Sequence, residues 1–141
     1  GNGWPTLDGD GPPWVLLAGG VGSAPFPMAI EQALAGMDGA TPAAPAQLNL
    51  LFGAATRGML YDLELFESLG ARVFPATMDG SAGFHGNALE LLRDLWRRRE
   101  LPERVRLLAC GPEVMMKYAA ASGLRRGIVA GASGAFALCA A

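Results

Sequence analysis

Three apolar runs in this chain end in glycine-marked turns, and each turn leads into a segment with helical spacing. They are Ala18-Gly19-Gly20-Val21-Gly22-Ser23-Ala24-Pro25, Phe52-Gly53-Ala54-Ala55-Thr56-Arg57 and Ala109-Cys110-Gly111-Pro112-Glu113-Val114-Met115-Met116. An apolar run that stops at glycine and gives way to a helix is the strand-to-helix step of an α/β sheet. Ligands of open α/β sheets bind in the crevice outside the carboxyl ends of the strands. The same three turns therefore mark a binding site.

The rest of the chain fills in that sheet. Trp14-Val15-Leu16-Leu17-Ala18, Leu48-Asn49-Leu50-Leu51-Phe52, Arg72-Val73-Phe74-Pro75-Ala76-Thr77 and Val105-Arg106-Leu107-Leu108-Ala109 read as strands, with Ile128-Val129 as a fifth. Nearly continuous apolar strands belong to parallel sheets covered on both faces. Pro75 either weakens the third run as a strand or places it at a sheet edge, because proline cannot donate to a ladder.

Helices are expected between the strands. Pro25 opens one running to Leu34, with Ser23 as its N-cap, since proline is tolerated where its missing N–H has no helical partner. Met59, Leu63 and Phe66 form the apolar stripe of a second, closed by Gly70 as a left-handed C-terminal residue. Leu89, Leu92, Leu95 and Trp96 form a third, and Pro112 opens a fourth carrying Met115, Tyr118 and Ala119. Met37 to Gln47 is a Pro/Ala/Gly loop. The order βαβαβαβα with short connections specifies a doubly wound, mainly parallel five-stranded sheet with helices on both faces. Residues 1–13, dense in Gly, Pro and Asp, read as a linker, residues 14–127 as the domain, and residues 128–141 as a last strand or tail.

Composition narrows the function. With 141 residues, 51% hydrophobic and 17% charged, the chain supports one domain with a sizeable core and is excluded from the disordered class. A net charge of −2, with arginines scattered apart from Arg97-Arg98-Arg99, leaves no basic stripe for nucleic acid. That arginine run reads as a solvated helix end, where cations complement the dipole. Cys110 and Cys139 form neither a disulfide framework nor a tetrahedral metal set, which points to a reduced, cytoplasmic protein. The uncharged stretch from Gly127 to Ala141 falls short of the roughly 20 apolar residues of a membrane span, so no membrane partner and no signal peptide are expected.

The chemistry of the first turn is that of a phosphate cradle. Gly20-x-Gly22, after a strand and before a helix, offers backbone N–H groups and a helix N-terminus to a pyrophosphate. The third glycine of the usual dinucleotide fingerprint is replaced by Pro25. The acidic residue expected at the end of the second strand is missing, and Thr56 and Arg57 stand in that region. Taken alone, the turn is equally a tight structural connection.

These motifs resemble the pyridine-nucleotide domain of the ferredoxin-reductase superfamily. Gly19 to Pro25 matches its Gly-Gly-x-Gly-x-x-Pro turn, and Cys110, Gly111, Pro112 and Met115 match its last strand end. Within that superfamily, residues 52–57 and the segment Ala76-Thr77-Met78-Asp79-Gly80-Ser81-Ala82-Gly83-Phe84-His85-Gly86 are similar to the electron-transfer subunit of dihydroorotate dehydrogenase. The likeness covers roughly residues 1 to 127 and includes Gly1-Asn2-Gly3-Trp4, similar to the segment closing that subunit's flavin-binding barrel. The barrel itself is not in this sequence, so the chain reads as a fragment or an excised domain. The cysteine cluster that holds a [2Fe–2S] centre is not matched either, because one thiolate in residues 127–141 cannot replace four.

The resemblance implies an oxidoreductase role: hydride transfer from NADH or NADPH to FAD on a neighbouring domain, in support of a dihydroorotate dehydrogenase catalytic subunit. The cofactors carry such chemistry and the protein supplies position. Gly19, Gly20, Val21, Gly22, Ser23 and Pro25 would hold the pyrophosphate. Thr56 and Arg57 would sit near the adenosine ribose, Asp79 and Gly80 at the third strand's end, and Cys110, Gly111, Pro112 and Met115 by the nicotinamide, with Cys110 where hydride leaves. Plainer readings stand beside these: Cys110 as a small buried hydrophobe, Arg57 as a solvated charge, Asp79-Gly80 as turn chemistry, Met115 as core filler and His85 as an exposed loop residue. NAD against NADP stays open, since Arg57 suits a 2′-phosphate. Two other roles also remain: a reductase subunit of a hydrogenase or sulfide dehydrogenase, and a nucleotide-sensing module without redox work. The isolated chain is expected to be inactive without its flavin domain.

Overall fold

The structure is a computed structural model that describes residues 7–19, 26–111, 128–129 and 138–140. Its sheet runs through β1 (Trp14–Gly19), β2 (Leu48–Ala54), β3 (Arg72–Thr77), β4 (Phe84–His85), β5 (Val105–Gly111), β6 (Ile128–Val129) and β7 (Leu138–Ala140). The helices are α1 (Phe26–Ala35), α2 (Leu63–Ser68) and α3 (Ala88–Arg97). The strand order is β4-β3-β2-β1-β5-β6, with β7 also paired to β5, and every pairing is parallel. The five expected strands are all present; β4 and β7 are short additions that the sequence pattern does not announce.

Both faces are covered, as continuous apolar strands require. Trp14, Leu16 and Ala18 pack with Leu48, Leu50 and Phe52 against Phe26 and Ile30 of α1 and Phe66 of α2. Val15 and Leu17 point the other way and join Leu51 and Ala76 under Leu89, Leu91, Leu92 and Leu95 of α3. The period-two alternation of the strands thus sorts one apolar run into two cores. Phe52 and Phe66 meet edge to face, with centroids 6.3 Å apart.

Local sequence explains the helix ends. Asn87 accepts from the Glu90 N–H at 2.8 Å while Glu90 accepts from the Asn87 N–H at 3.1 Å, a reciprocal cap that starts α3. Gly53 lets that end of the helix approach β2: a Cβ there would lie 3.0 Å from the Ala88 nitrogen. Gly70 closes the α2 turn at φ 95°.

Three expectations are corrected. Met59 is not on the buried stripe of α2: it lies in a 3-10 turn, Arg57–Met59, and is 42% exposed. Asp62, at φ 63°, turns the chain between them, so α2 starts only at Leu63. Residues 37–47, expected as a plain loop, hold two 3-10 turns, Met37–Gly39 and Pro45–Gln47. The third run is also not an edge strand, since β3 lies between β2 and β4; β4 pairs only with Ala76 and Thr77, so Pro75 has no ladder partner on that side. The expected fourth helix, from Pro112, lies outside the described residues.

Candidate nucleotide site

The chain winds outward from β1 to β4, and α3 then carries it back across the sheet to β5, on the other side of β1. The strand order reverses there. Ala18 of β1 is in register with Cys110 of β5, so the two strands end side by side at the switch point, where open sheets hold their ligands. On the other flank Gly19 is opposite Gly53, and Ala54 is opposite Thr77. The carboxyl ends of β1, β2, β3 and β5 therefore share one edge of the sheet, which carries Gly19, Cys110 and Gly111 in the last strand residues and Thr56, Arg57, Asp79 and Gly80 in the loops that follow β2 and β3. The remaining expected site residues, Gly20, Val21, Gly22, Ser23, Pro25, Pro112 and Met115, lie outside the described residues, as does Ser23's expected capping role.

The loops after β2 and β3 are tied to each other. Met78 N–H donates to the Ala54 carbonyl at 3.0 Å and Asp79 N–H to the Ala55 carbonyl at 3.2 Å. Ser81 Oγ accepts from the Arg57 N–H at 2.8 Å, and the same hydroxyl donates to Asp79 Oδ1 at 2.6 Å. Asp79 Oδ1 also accepts from the Ser81 N–H at 2.9 Å. Those two bonds from Ser81 hold the exposed Asp79 carboxyl below its ordinary value of 3.8, with the charge of His85 the smallest contribution.

Behind this surface the loop is built on buried Thr77. Its Oγ1 donates to the Ala82 carbonyl at 2.7 Å and accepts from the Ala82 N–H at 3.1 Å. Its carbonyl accepts from Gly86 N–H at 2.9 Å. Gly80, Gly83 and Gly86 have φ of 74°, 61° and 155°, so the loop needs glycine at three places. His85 is exposed, as expected, but belongs to β4 and packs its ring over Gly80.

Among the described residues Arg57 is the cation of this edge. It is exposed, and its guanidinium makes no ion pair or hydrogen bond among the described residues. Tyr61 and Met78 are also exposed there, at 53% and 55%. Sequence reasoning did not single out Ser81 as a site residue; the signal for it is the Asp-Gly-Ser spacing, in which a serine two residues after an aspartate closes an Asx-turn.

A parallel sheet covered on both faces, whose order reverses between two strands ending together, defines the class: a doubly wound α/β domain, of the kind that holds ligands at the switch point. Residues 16–121 match the family of oxidoreductase NAD-binding domains, and the chain belongs to that family. It is 32% identical over 103 residues to the "Probable dihydroorotate dehydrogenase B (NAD(+)), electron transfer subunit" of Methanocaldococcus jannaschii, covering 73% of this chain and 35% of that protein. It is 31% identical over 112 residues to the dihydroorotate dehydrogenase B (NAD(+)) electron transfer subunit of Desulforamulus reducens, covering 79% of this chain and 38% of the relative. A solved NADH-dependent reduced ferredoxin-NADP oxidoreductase, studied for flavin-based electron bifurcation, superposes with a TM-score of 0.63 at 26% identity, over 86% of this chain and 39% of that one. The chain thus spans a little over a third of the length of these relatives.

Proposed function

We propose that this domain binds NADH across the ends of β1 and β5 and presents its nicotinamide to a flavin on a neighbouring domain, within an electron-transfer subunit that serves dihydroorotate dehydrogenase. The observation that carries the reading is the shared strand-end edge, with the Arg57 guanidinium, unpaired among the described residues, on one flank and the Cys110-Gly111 strand end on the other. These residues fit a dinucleotide: Arg57, a cation with no ion pair among the described residues, stands at the adenosine end, while the Asp79 carboxylate is occupied at Oδ1 by Ser81.

The bound nicotinamide supplies a hydride, and the flavin of the partner domain receives it. The residues of this chain bind and orient. The Gly20 to Ser23 turn, with Gly19, Val21 and Pro25 beside it, takes the pyrophosphate. Thr56 and Arg57 meet the adenosine ribose, Asp79 and Gly80 shape the wall beside it, and Cys110, Gly111, Pro112 and Met115 flank the nicotinamide. No acid, base or nucleophile of the chain is required. The isolated chain binds cofactor weakly and does not turn over, it works in the cytoplasm, and its two cysteines are too few for a [2Fe–2S] centre.

Arg57, unpaired among the described residues, favours a second reading of specificity, in which NADPH is the ligand and the guanidinium forks onto its 2′-phosphate. Calorimetric titration with NAD⁺, NADH, NADP⁺ and NADPH tests both readings, with Gly22→Trp as the blocked-turn control. Binding by the parent that is lost in the control supports the site, and the stronger of the two cofactor pairs assigns Arg57. Absence of binding at millimolar ligand, with the flavin domain supplied in trans, removes the proposal.

A further inference from the structure

We propose that Asp79 is a positioning residue: through the Ser81 hydroxyl it fixes the Arg57 turn, and it serves the adenosine end of the nucleotide without touching it. The proposal rests on the function proposed above and assigns to Asp79 a different role within it, acting through Arg57.

The geometry has one polarity. A serine hydroxyl has a single proton to give. Here Asp79 Oδ1 accepts it at 2.6 Å, so the oxygen lone pairs face the Arg57 N–H, which donates to them at 2.8 Å. The Ser81 N–H, donating to the same Oδ1 at 2.9 Å, prevents the serine from swinging away. Asp79 is itself anchored, since its own N–H donates to the Ala55 carbonyl at 3.2 Å. The chain of bonds therefore starts on the β2 loop, crosses to the β3 loop and returns to the β2 loop at the first residue of the 3-10 turn.

What it holds in place is the backbone of Arg57, whose guanidinium is otherwise unattached among the described residues. A long cation on a mobile turn loses conformational entropy when it binds, and a fixed backbone removes part of that loss beforehand. The bonds of the exposed Asp79 side chain run through Oδ1 to Ser81. Removing either Asp79 or Ser81 frees the Arg57 N–H and lets the turn drift, although neither side chain is buried.

Two measurements on the whole chain separate this proposal from the function on which it rests. The first is amide hydrogen exchange at Arg57 without nucleotide. Ser81→Ala and Asp79→Ala each speed it by about tenfold, the scale of one exposed hydrogen bond lost. Asp79→Asn, whose amide oxygen still accepts from Ser81, and Ser81→Thr, which keeps the hydroxyl, rescue most of the protection. An Arg57 amide that ignores Asp79→Ala overturns the proposal whatever the nucleotide does.

The second is NADH titration. Ser81→Ala and Asp79→Ala each weaken binding about fivefold, the double variant is no weaker than either, and in an Arg57→Ala background Ser81→Ala has no further effect. Additive losses, or a full loss with Asp79→Asn, overturn the positioning role in favour of direct contact. If the parent chain binds no NADH even with a flavin domain supplied, the function itself fails and the nucleotide role of Asp79 fails with it. Unchanged melting temperatures in all the single variants confirm that the readouts are local.

Discussion

Arg106 and Asp8 are 98 residues apart in sequence and joined by a charged hydrogen bond of 2.8 Å between Nη1 and Oδ1. Arg106 also donates from Nη2 to the Asp8 carbonyl at 2.9 Å and from Nε to the Pro12 carbonyl at 2.9 Å. Its guanidinium lies 4.2 Å from the Trp14 ring centroid, and Trp14 Nε1 donates to the same Asp8 carbonyl at 3.1 Å. Residues 7–13 form no helix or strand, yet Leu7 is buried and this clasp pins the segment beneath β1 and β5. Arg106→Met keeps the aliphatic stem but removes all three guanidinium bonds, leaving the Asp8 carbonyl with only the Trp14 indole and Asp8 Oδ1 with only the Asp10 N–H. The expected cost is about 2–3 kcal/mol by urea unfolding, below the roughly 3–5 of a wholly buried pair because Asp8 reaches water. A loss under half a kcal/mol would show that the clasp is ornamental.

The same pair gives a pH dependence. Burial raises the Asp8 carboxyl, but the Arg106 hydrogen bond, the Asp10 N–H and the Arg106 charge together outweigh it and leave Asp8 below 3.8. A folded value below the unfolded one contributes stability that is fully present above the unfolded value and is lost as pH falls through the folded one. The gap in stability between the parent and Asp8→Asn is therefore constant at neutral pH and closes below 3.8, as equilibrium unfolding over an acid series will show.

Much of the sheet is legible in the sequence because each main strand is a short apolar run bounded by glycine or proline, whereas Pro75 points to an edge that β4, too short to announce itself, occupies instead. The clasp is not legible: Arg106 sits inside the run Val105-Arg106-Leu107 and reads as an ordinary strand residue until the fold sets the Asp8 carbonyl against it. The stripe of Met59, Leu63 and Phe66 misleads for a related reason, since spacing cannot show that Asp62 adopts a left-handed turn between them. At the candidate site the strand-end positions follow from the motifs, whereas the Asp79-Ser81-Arg57 relay depends on which loops the β2–β3 pairing brings together. That is a tertiary fact with no local signature beyond the Asx-turn.

Gly83 separates backbone strain from steric collision. It has φ 61°, and a Cβ there would lie 2.2 Å from the Pro75 carbonyl oxygen; Gly39, at φ 79°, has nothing within 4 Å of its Cβ position. Both alanine variants carry the left-handed penalty of about 1–2 kcal/mol. Gly83→Ala carries a collision as well, of about 1–3 kcal/mol on the scale of overpacked sites. Denaturation midpoints should fall further for Gly83→Ala than for Gly39→Ala, and NADH binding should weaken only in the former, because its loop holds Ser81. Equal midpoints would mean that the loop yields freely.

Arg99 offers the opposite sign. It follows α3 at φ 60°, with its N–H donating to the Trp96 carbonyl at 3.0 Å, the left-handed place where helices usually carry glycine. Its neighbours take the charges: Arg97 and Arg98 both bridge to Asp94, and Arg98 reaches Glu100 at 3.4 Å, while Arg99 has no ion pair among the described residues. Arg99→Gly therefore removes a conformational penalty of about 1–2 kcal/mol without breaking a contact. Glycine returns roughly 0.5–1 kcal/mol of that through the greater freedom of the unfolded chain. The expected net is a gain of about 0.5–1 kcal/mol, read as a raised urea midpoint at unchanged slope. A lowered midpoint would show that the Arg99 side chain stabilises the end of α3 in a way its geometry does not reveal.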